Sequence, residues 1–276
     1  MKWSDYKIDK ITLDDKNYPE SLKSIKSPPK ALYCRGNLKC LSQKSLAVVG
    51  SRNVSRYGRA VIDKFIPALV VEKVVIVSGF MYGVDTLAHE ATVAEGGVTV
   101  AVLASGLNQF YPPENDKLYT KILQQNGVII SEYEPEAKTK LWAFPQRNRI
   151  VAGLSTLGVL VIEAGEKSGS LITANYGKEF GKKVFAVPGP ITSPTSKGTN
   201  WLIKEGATLV TGPGDILGVK SERLKKSTKP ELSGDEAKIY ESLSKGELSI
   251  DELSIDTGIN VVALSSILSM MSLKGL

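Results

Sequence analysis

From residue 45 onward the chain alternates short apolar runs with amphipathic stretches. The runs occupy residues 46–49, 74–77, 98–103, 128–130, 157–162 and 184–187. They are rich in β-branched residues and apolar throughout, as strands buried on both faces of a parallel sheet are. Between them, residues 57–72, 83–95, 115–125 and 170–180 place apolar side chains at helical spacing. This alternation predicts an α/β domain over residues 45–218: a Rossmann-like, doubly wound, mostly parallel sheet, with 207–210 as a candidate last strand.

The two ends follow other patterns. Residues 1–44 are mixed and punctuated by Tyr18-Pro19 and Ser27-Pro28-Pro29. They predict an N-terminal arm packed on the core, with one short edge strand at 31–34. Residues 219–230 carry Lys220, Arg223, Lys225, Lys226 and Lys229 among polar residues and read as a flexible basic linker. Residues 231–276 hold three short helical patterns, at 234–243, 249–257 and 260–273, the second opening on a capping serine, Ser249. That is the plan of a small, partial winged-helix-like module, truncated where a wing hairpin would follow. Its last helix offers serines and Lys274 rather than a basic set for the major groove, so the module reads as a protein-contact surface.

Composition narrows the classes. With 42% hydrophobic and 23% charged residues, most of the 276-residue chain should fold as an ordinary globule. The excess of 35 Lys+Arg over 29 Asp+Glu, a net charge of +6, favours an anionic partner. Cys34 and Cys40 lack the further Cys or His residues of a zinc site and read as free thiols. The single histidine, His89, falls in a helical pattern and reads as a packing residue, so no metal site is expected. No apolar run approaches the ~20 residues that span a bilayer, and the N-terminus has no signal core. A cytoplasmic location without membrane contact is the expectation.

Ligands of such sheets bind beyond the carboxyl ends of the strands. Those ends carry Gly50-Ser51-Arg52, Ser78-Gly79, Ala104-Ser105-Gly106, Lys167-Ser168-Gly169-Ser170 and Pro188-Gly189. Glycine lets a backbone approach an anion, and a helix start presents free N–H groups. A row of such turns with Arg52 and Lys167 among them predicts a site for phosphates or a nucleotide. The stretch Trp142-Ala143-Phe144-Pro145-Gln146-Arg147-Asn148-Arg149 adds stacking faces and planar cations, a combination that suits single-stranded nucleic acid. The alternative for these residues is structural: Trp142 and Phe144 in the core, and Arg147 and Arg149 bracing carboxylates such as Glu132 or Glu163. No P-loop, dinucleotide fingerprint or nucleophile elbow occurs. Asp85 and Glu163 stand at strand ends without a second acid, so no catalytic set and no cofactor are assigned.

The succession Gly50-Ser51-Arg52, Ser78-Gly79, Gly83-Val84-Asp85, Ala88-His89, Gly106, Tyr111-Pro112, Ser131-Glu132, Phe144-Pro145-x-Arg147-Asn148-Arg149-Ile150, Ser168-Gly169-Ser170-Leu171-Ile172-Thr173-Ala174 and Val187-Pro188-Gly189 resembles the DNA-processing protein DprA (Smf) family. Tyr18-Pro19 and Leu32-Tyr33-x-x-Gly36-Asn37-Leu38 fit its upstream segment, so the likeness runs over about 11–210. It implies a non-enzymatic, homodimeric protein that binds and protects single-stranded DNA with little sequence preference and helps load RecA recombinase during natural transformation. It implies that Ser51 and Arg52 hold backbone phosphates, Lys140 adds charge, Phe144 stacks on a base, and Arg147 and Arg149 shape or line the pocket; with the strand-end turns, the expected site comprises Gly50, Ser51, Arg52, Ser78, Gly79, Lys140, Phe144, Arg147, Asn148, Arg149, Lys167, Ser168, Gly169 and Ser170. This chain departs from the family at Ala143, where many members have histidine, at the slightly displaced Lys140, and at Pro113-Glu114, where a basic residue often follows Tyr-Pro. The competing expectation is a Rossmann-type nucleotide enzyme of the phosphoribohydrolase kind, with Glu163 or Asp85 as its carboxylate, or a nucleotide sensor. Residues 164–170 replace the Pro-Gly-Gly-x-Gly-Thr loop of such an enzyme.

Overall fold

The apolar runs assemble into one sheet in a computed structural model that describes residues 2–219, 232, 234–243, 246 and 248–273. Its strands are β1 (Ile8–Thr12), β2 (Ala31–Gly36), β3 (Ser45–Val49), β4 (Val75–Ser78), β5 (Thr99–Val102), β6 (Val128–Ser131), β7 (Gly158–Val161), β8 (Val184–Ala186) and β9 (Thr208–Leu209). The order across the sheet is β1-β2-β6-β5-β4-β3-β7-β8-β9. Every pair from β6 to β9 is parallel, while β1 with β2 and β2 with β6 are antiparallel. The chain winds outward from β3 to β6 and then returns to β7 on the other side of β3. The order therefore reverses between β3 and β7, and a crevice opens at their carboxyl ends.

The N-terminal segment departs from the expected arm with an edge strand. It supplies two strands, and β2 lies inside the sheet, paired with β1 through Tyr33↔Lys10 and with β6 through Tyr33↔Ser131. The physical reason is burial: Leu32, Tyr33, Cys34 and Arg35 are all buried, and Leu22, Ile25 and Leu32 share a core cluster with Val77 and Val100. Arg35 is accommodated because its guanidinium donates to Tyr6 O, Asn108 Oδ1 and Tyr119 Oη at 2.8–3.1 Å and lies 5.0 Å over the Trp3 ring.

Helices α1 (Glu20–Lys23), α2 (Arg56–Val71), α3 (Val84–Ala94), α4 (Asp116–Gln124), α5 (Ala143–Leu154), α6 (Gly169–Glu179), α7 (Lys197–Lys204) and α8 (Pro213–Leu217) surround the sheet. One face packs Ile62, Ile66 and Val84 of α2 and α3 on Leu46, Val48 and Ile76. The other packs Ile150, Val151 and Ala174 of α5 and α6 on Val49, Val77 and Val159. Ser55 starts α2 by accepting from Gly58 N at 3.1 Å, and Glu163, at the end of β7, accepts from Ser55 N (2.9 Å), Ser55 Oγ (2.5 Å) and Thr195 Oγ1 (3.0 Å). This carboxylate ties two turns together.

His89 is fully buried, and its tautomer follows from its neighbours. Thr99 Oγ1 donates to Ile76 O at 2.6 Å, so its lone pair accepts from His89 Nδ1 at 2.7 Å, which leaves Nε2 as an unpartnered acceptor. Burial, with Arg147 nearby, pushes the imidazole pKa down to about 3, so the ring stays neutral.

The chain divides into two compact units, Met1–Ser227 and Thr228–Leu276. The second contains α9 (Asp235–Leu243), α10 (Ile250–Thr257) and α11 (Val261–Leu273) around Ile239, Leu253, Leu264 and Met271. Ser249 and Glu252 cap α10 reciprocally, through Ser249 N to Glu252 Oε2 at 2.8 Å and Glu252 N to Ser249 Oγ at 3.3 Å. The expected linker at 219–230 lies outside the described residues apart from Val219. Among the described residues, no single helix is long and apolar enough to cross a membrane.

Candidate nucleic-acid interface

A cavity of about 680 Å³ fills the crevice beyond β3, β4 and β7. The turn after β3 forms one wall, Gly50-Ser51-Arg52-Asn53. It is held by its own hydroxyl: Ser51 Oγ donates to Asn53 O at 2.8 Å and accepts from Asn53 N at 3.1 Å. The turn lies against Gly83, whose φ of +80° and contact with the Ser51 and Arg52 carbonyls leave no room for a side chain.

The facing wall is α5. Phe144, Arg147, Asn148 and Val151 line the cavity at i, i+3, i+4 and i+7, one stripe of a helix. The remaining side is the N-terminus of α6, where Ser168 Oγ accepts from Ser170 N at 3.4 Å and Asn148 Nδ2 donates to Gly169 O at 3.2 Å. With Lys167 beside it, that end combines a charge and a helix dipole of the same sign. The Arg52 guanidinium is exposed and sits 5.6 Å from the centre of the half-buried Phe144 ring, over its face. Neither Arg52 nor Lys167 pairs with a carboxylate among the described residues.

Arg147 plays a different part from Arg52. It is 3% exposed, and its Nη1 donates to the carbonyls of Gly79 and Val102, at the ends of β4 and β5. Burial lowers its pKa to about 10, against the opposing pull of Asp85, so it remains a cation at neutral pH. Asp85, buried at the start of α3, is pushed up by desolvation and held back by Arg147. It accepts from Met81 N at 3.4 Å and forms part of the cavity floor.

Of the residues named from the sequence, the structure gathers Gly50, Ser51, Arg52, Gly79, Phe144, Arg147, Asn148, Lys167, Ser168, Gly169 and Ser170 around the cavity. Three lie elsewhere. Ser78 is fully buried and donates to Val48 O at 2.6 Å. Arg149 faces away, because residues two apart on a helix diverge. It makes two 2.7 Å bonds to Glu132 and a 3.0 Å bond to Ser27 O. Lys140 borders a separate small cavity. Sequence reasoning passed over Tyr82, Asn53 and Leu141, which also line the site. Tyr82 stood in the turn after β4, read for its glycines alone; it meets Tyr111 edge-on at 5.9 Å, and Tyr111 meets Phe144 at 6.4 Å.

The profile described as DNA recombination-mediator protein A matches residues 9–220, most of the chain. The chain belongs to the DprA family. A second profile, the DprA winged helix domain, matches residues 224–276. Escherichia coli Protein Smf is 44% identical over 207 residues, 75% of this chain and 55% of its own length, so the chain spans about half of that relative. The DNA processing protein DprA of Bacillus subtilis is 39% identical over 224 residues, 81% of this chain and 75% of its own. Among solved structures, DprA from Streptococcus pneumoniae superposes with a TM-score of 0.72 at 42% identity, covering 79% of this chain and 75% of that one. DNA processing protein A from Helicobacter pylori, described for its single-stranded DNA binding mode, gives 0.70 at 31% identity, with 82% and 99% covered.

Proposed function

We propose that the crevice between β3 and β7 binds single-stranded DNA with little sequence preference. The observation that carries this reading is Phe144, a half-buried ring on the cavity wall beneath the unpaired guanidinium of Arg52. A base takes the guanidinium's place on the ring face, and its neighbouring phosphates are met by Arg52, turned off the ring, with Lys167 and the N-terminus of α6. Every base has a π-face, so such a site holds strands of any sequence. The donors are charged side chains and backbone groups, which read phosphate and carry no sequence information. The H. pylori relative, described as a single-stranded DNA binder, agrees with this assignment. On this reading the protein acts in the cytoplasm as a homodimer without catalysis, protecting the strand and helping to load a RecA-type recombinase during transformation.

A nucleoside-cleaving enzyme fits less well. Glu163 already accepts three hydrogen bonds from Ser55 and Thr195, and Asp85 lies under Arg147 and Met81.

The deciding experiment titrates labelled oligothymidine at two salt concentrations, with duplex DNA and AMP as competitors. The reading expects salt-sensitive binding that single strands compete best; AMP binding or cleavage without oligomer binding would replace it with a small-nucleotide site. Arg52→Ala is expected to weaken binding and to reduce the slope of log K against log salt by about one unit, the share of one lost phosphate contact. An unchanged slope would place Arg52 off the backbone.

A further inference from the structure

The segment between β6 and α5, residues 132–142, carries three acids and two lysines, and the fold treats the two signs differently. Glu132 is taken by Arg149, Glu134 accepts from the Tyr33 hydroxyl, and Glu136 accepts from the amides of Asn108 and Gln109. Lys138 and Lys140 are exposed and pair with no carboxylate among the described residues. They border a cavity of about 200 Å³ together with Tyr133, Ala137, Trp142 and Ala143. Trp142 is 55% exposed, Tyr133 meets it edge-on at 5.9 Å, and Lys140 Nζ lies 5.8 Å from its ring centre.

This surface is set before any ligand arrives. Gly106 N donates to Ala137 O at 2.8 Å and Asn108 N to Pro135 O at 2.9 Å, so the segment is pinned to the turn after β5, and Ala143 N donates to Lys140 O at 3.0 Å where it enters α5. Binding there orders little new backbone. The site also adjoins the larger cavity, since the consecutive residues Leu141 and Trp142 line one each. An exposed indole with free ammonium groups beside it suits the repeating base-and-phosphate chemistry of a polynucleotide strand.

We propose that Trp142, Tyr133 and Lys140 form a second nucleotide subsite, which takes a nucleotide next along the strand held at Phe144, its base on the indole and its phosphate at Lys140 and Lys138. The proposal rests on the single-stranded DNA reading of the main cavity. It gives that cavity a neighbour and the bound strand a direction across the N-terminus of α5.

Full-length protein is titrated with a long oligothymidine and with the shortest oligothymidine that the wild type binds. Trp142→Ala is expected to bind the long strand about tenfold more weakly and the shortest one as wild type does, while Trp142→Phe retains most of the affinity. Lys140→Ala is expected to lower the salt slope for the long strand by about one unit. A second readout uses Trp3→Phe with Trp201→Phe, which leaves Trp142 as the sole tryptophan; its fluorescence is quenched when a base stacks on it. Wild-type affinity of Trp142→Ala for the long strand, or unquenched emission at saturation, overturns the subsite while Phe144→Ala still reports on the main cavity. Failure of the wild type to bind any oligothymidine overturns both.

Discussion

Replacing Arg147 by methionine is expected to lower the unfolding free energy of the large unit by about 3–5 kcal/mol. The side chain is buried in α5, and one guanidinium nitrogen serves two main-chain carbonyls, Gly79 O and Val102 O, at the ends of adjacent strands. Methionine fills similar space but donates nothing, so two buried acceptors are orphaned at roughly 1–3 kcal/mol each. Asp85 also loses the cation that opposes its desolvation. Its folded pKa, already raised, then rises further, and keeping it ionised in the folded state costs stability at neutral pH. The variant's deficit should therefore shrink as pH falls toward the ordinary carboxylate range, where Asp85 is protonated in both folded and unfolded chains. Urea titrations at neutral and acid pH measure both effects. Arg147→Lys should restore part of the loss, because an ammonium keeps the charge beside Asp85 and has donors for both carbonyls, but its shorter, narrower head does not fill the guanidinium's place between the two strand ends. A deficit near zero would show that other donors serve these carbonyls and that Arg147 is available to a ligand.

Phe144→Ala is expected to weaken oligothymidine binding by about 1–3 kcal/mol, roughly 5- to 150-fold, with little change in the salt slope. Stacking involves no counterion release, so losing it lowers affinity alike at low and high salt, unlike loss of Arg52. The ring is only half-buried, and it meets the Tyr111 ring and the guanidinium of Arg52. Its removal should therefore leave the thermal transition almost in place. Phe144→Tyr keeps a ring face and should bind nearly as the wild type does. A variant that binds normally but unfolds readily would move Phe144 from the interface to the core.

The central strands were legible because each lies within a sheet covered on both faces. Residues 46–49, 128–130 and 184–187 are apolar with no polar alternation, and they appear as β3, β6 and β8 within a residue or two. Strand β1 was missed for the opposite reason: Ile8-Asp9-Lys10-Ile11-Thr12 is an edge strand in which only Ile11 is fully buried. Helix α5 escaped the helical periodicity because it is enclosed on several sides. Ala143, Arg147, Arg149, Ile150, Val151 and Leu154 are all buried, so no continuous polar face marks it. The expected winged-helix plan at the C-terminus agrees with the profile matched at residues 224–276.

The sequence by itself determined the alternation of buried strands and covering helices, hence the doubly wound sheet. Through the rule that ligands gather at strand ends, it also singled out the glycine- and serine-rich turns that meet there. Those properties are local, since burial on both faces and the need for a tight turn are written into a few consecutive residues. Only the tertiary structure separated the arginines. Arg52, Arg147 and Arg149 are chemically alike, and each was a plausible partner for phosphate. Helical phase turns Arg147 toward two strand ends and Arg149 toward Glu132, while the turn after β3 leaves Arg52 unpaired above Phe144. Whether a cation is taken up by the fold or left for a ligand depends on which carbonyls and carboxylates distant parts of the chain bring within reach. No stretch of sequence carries that information alone.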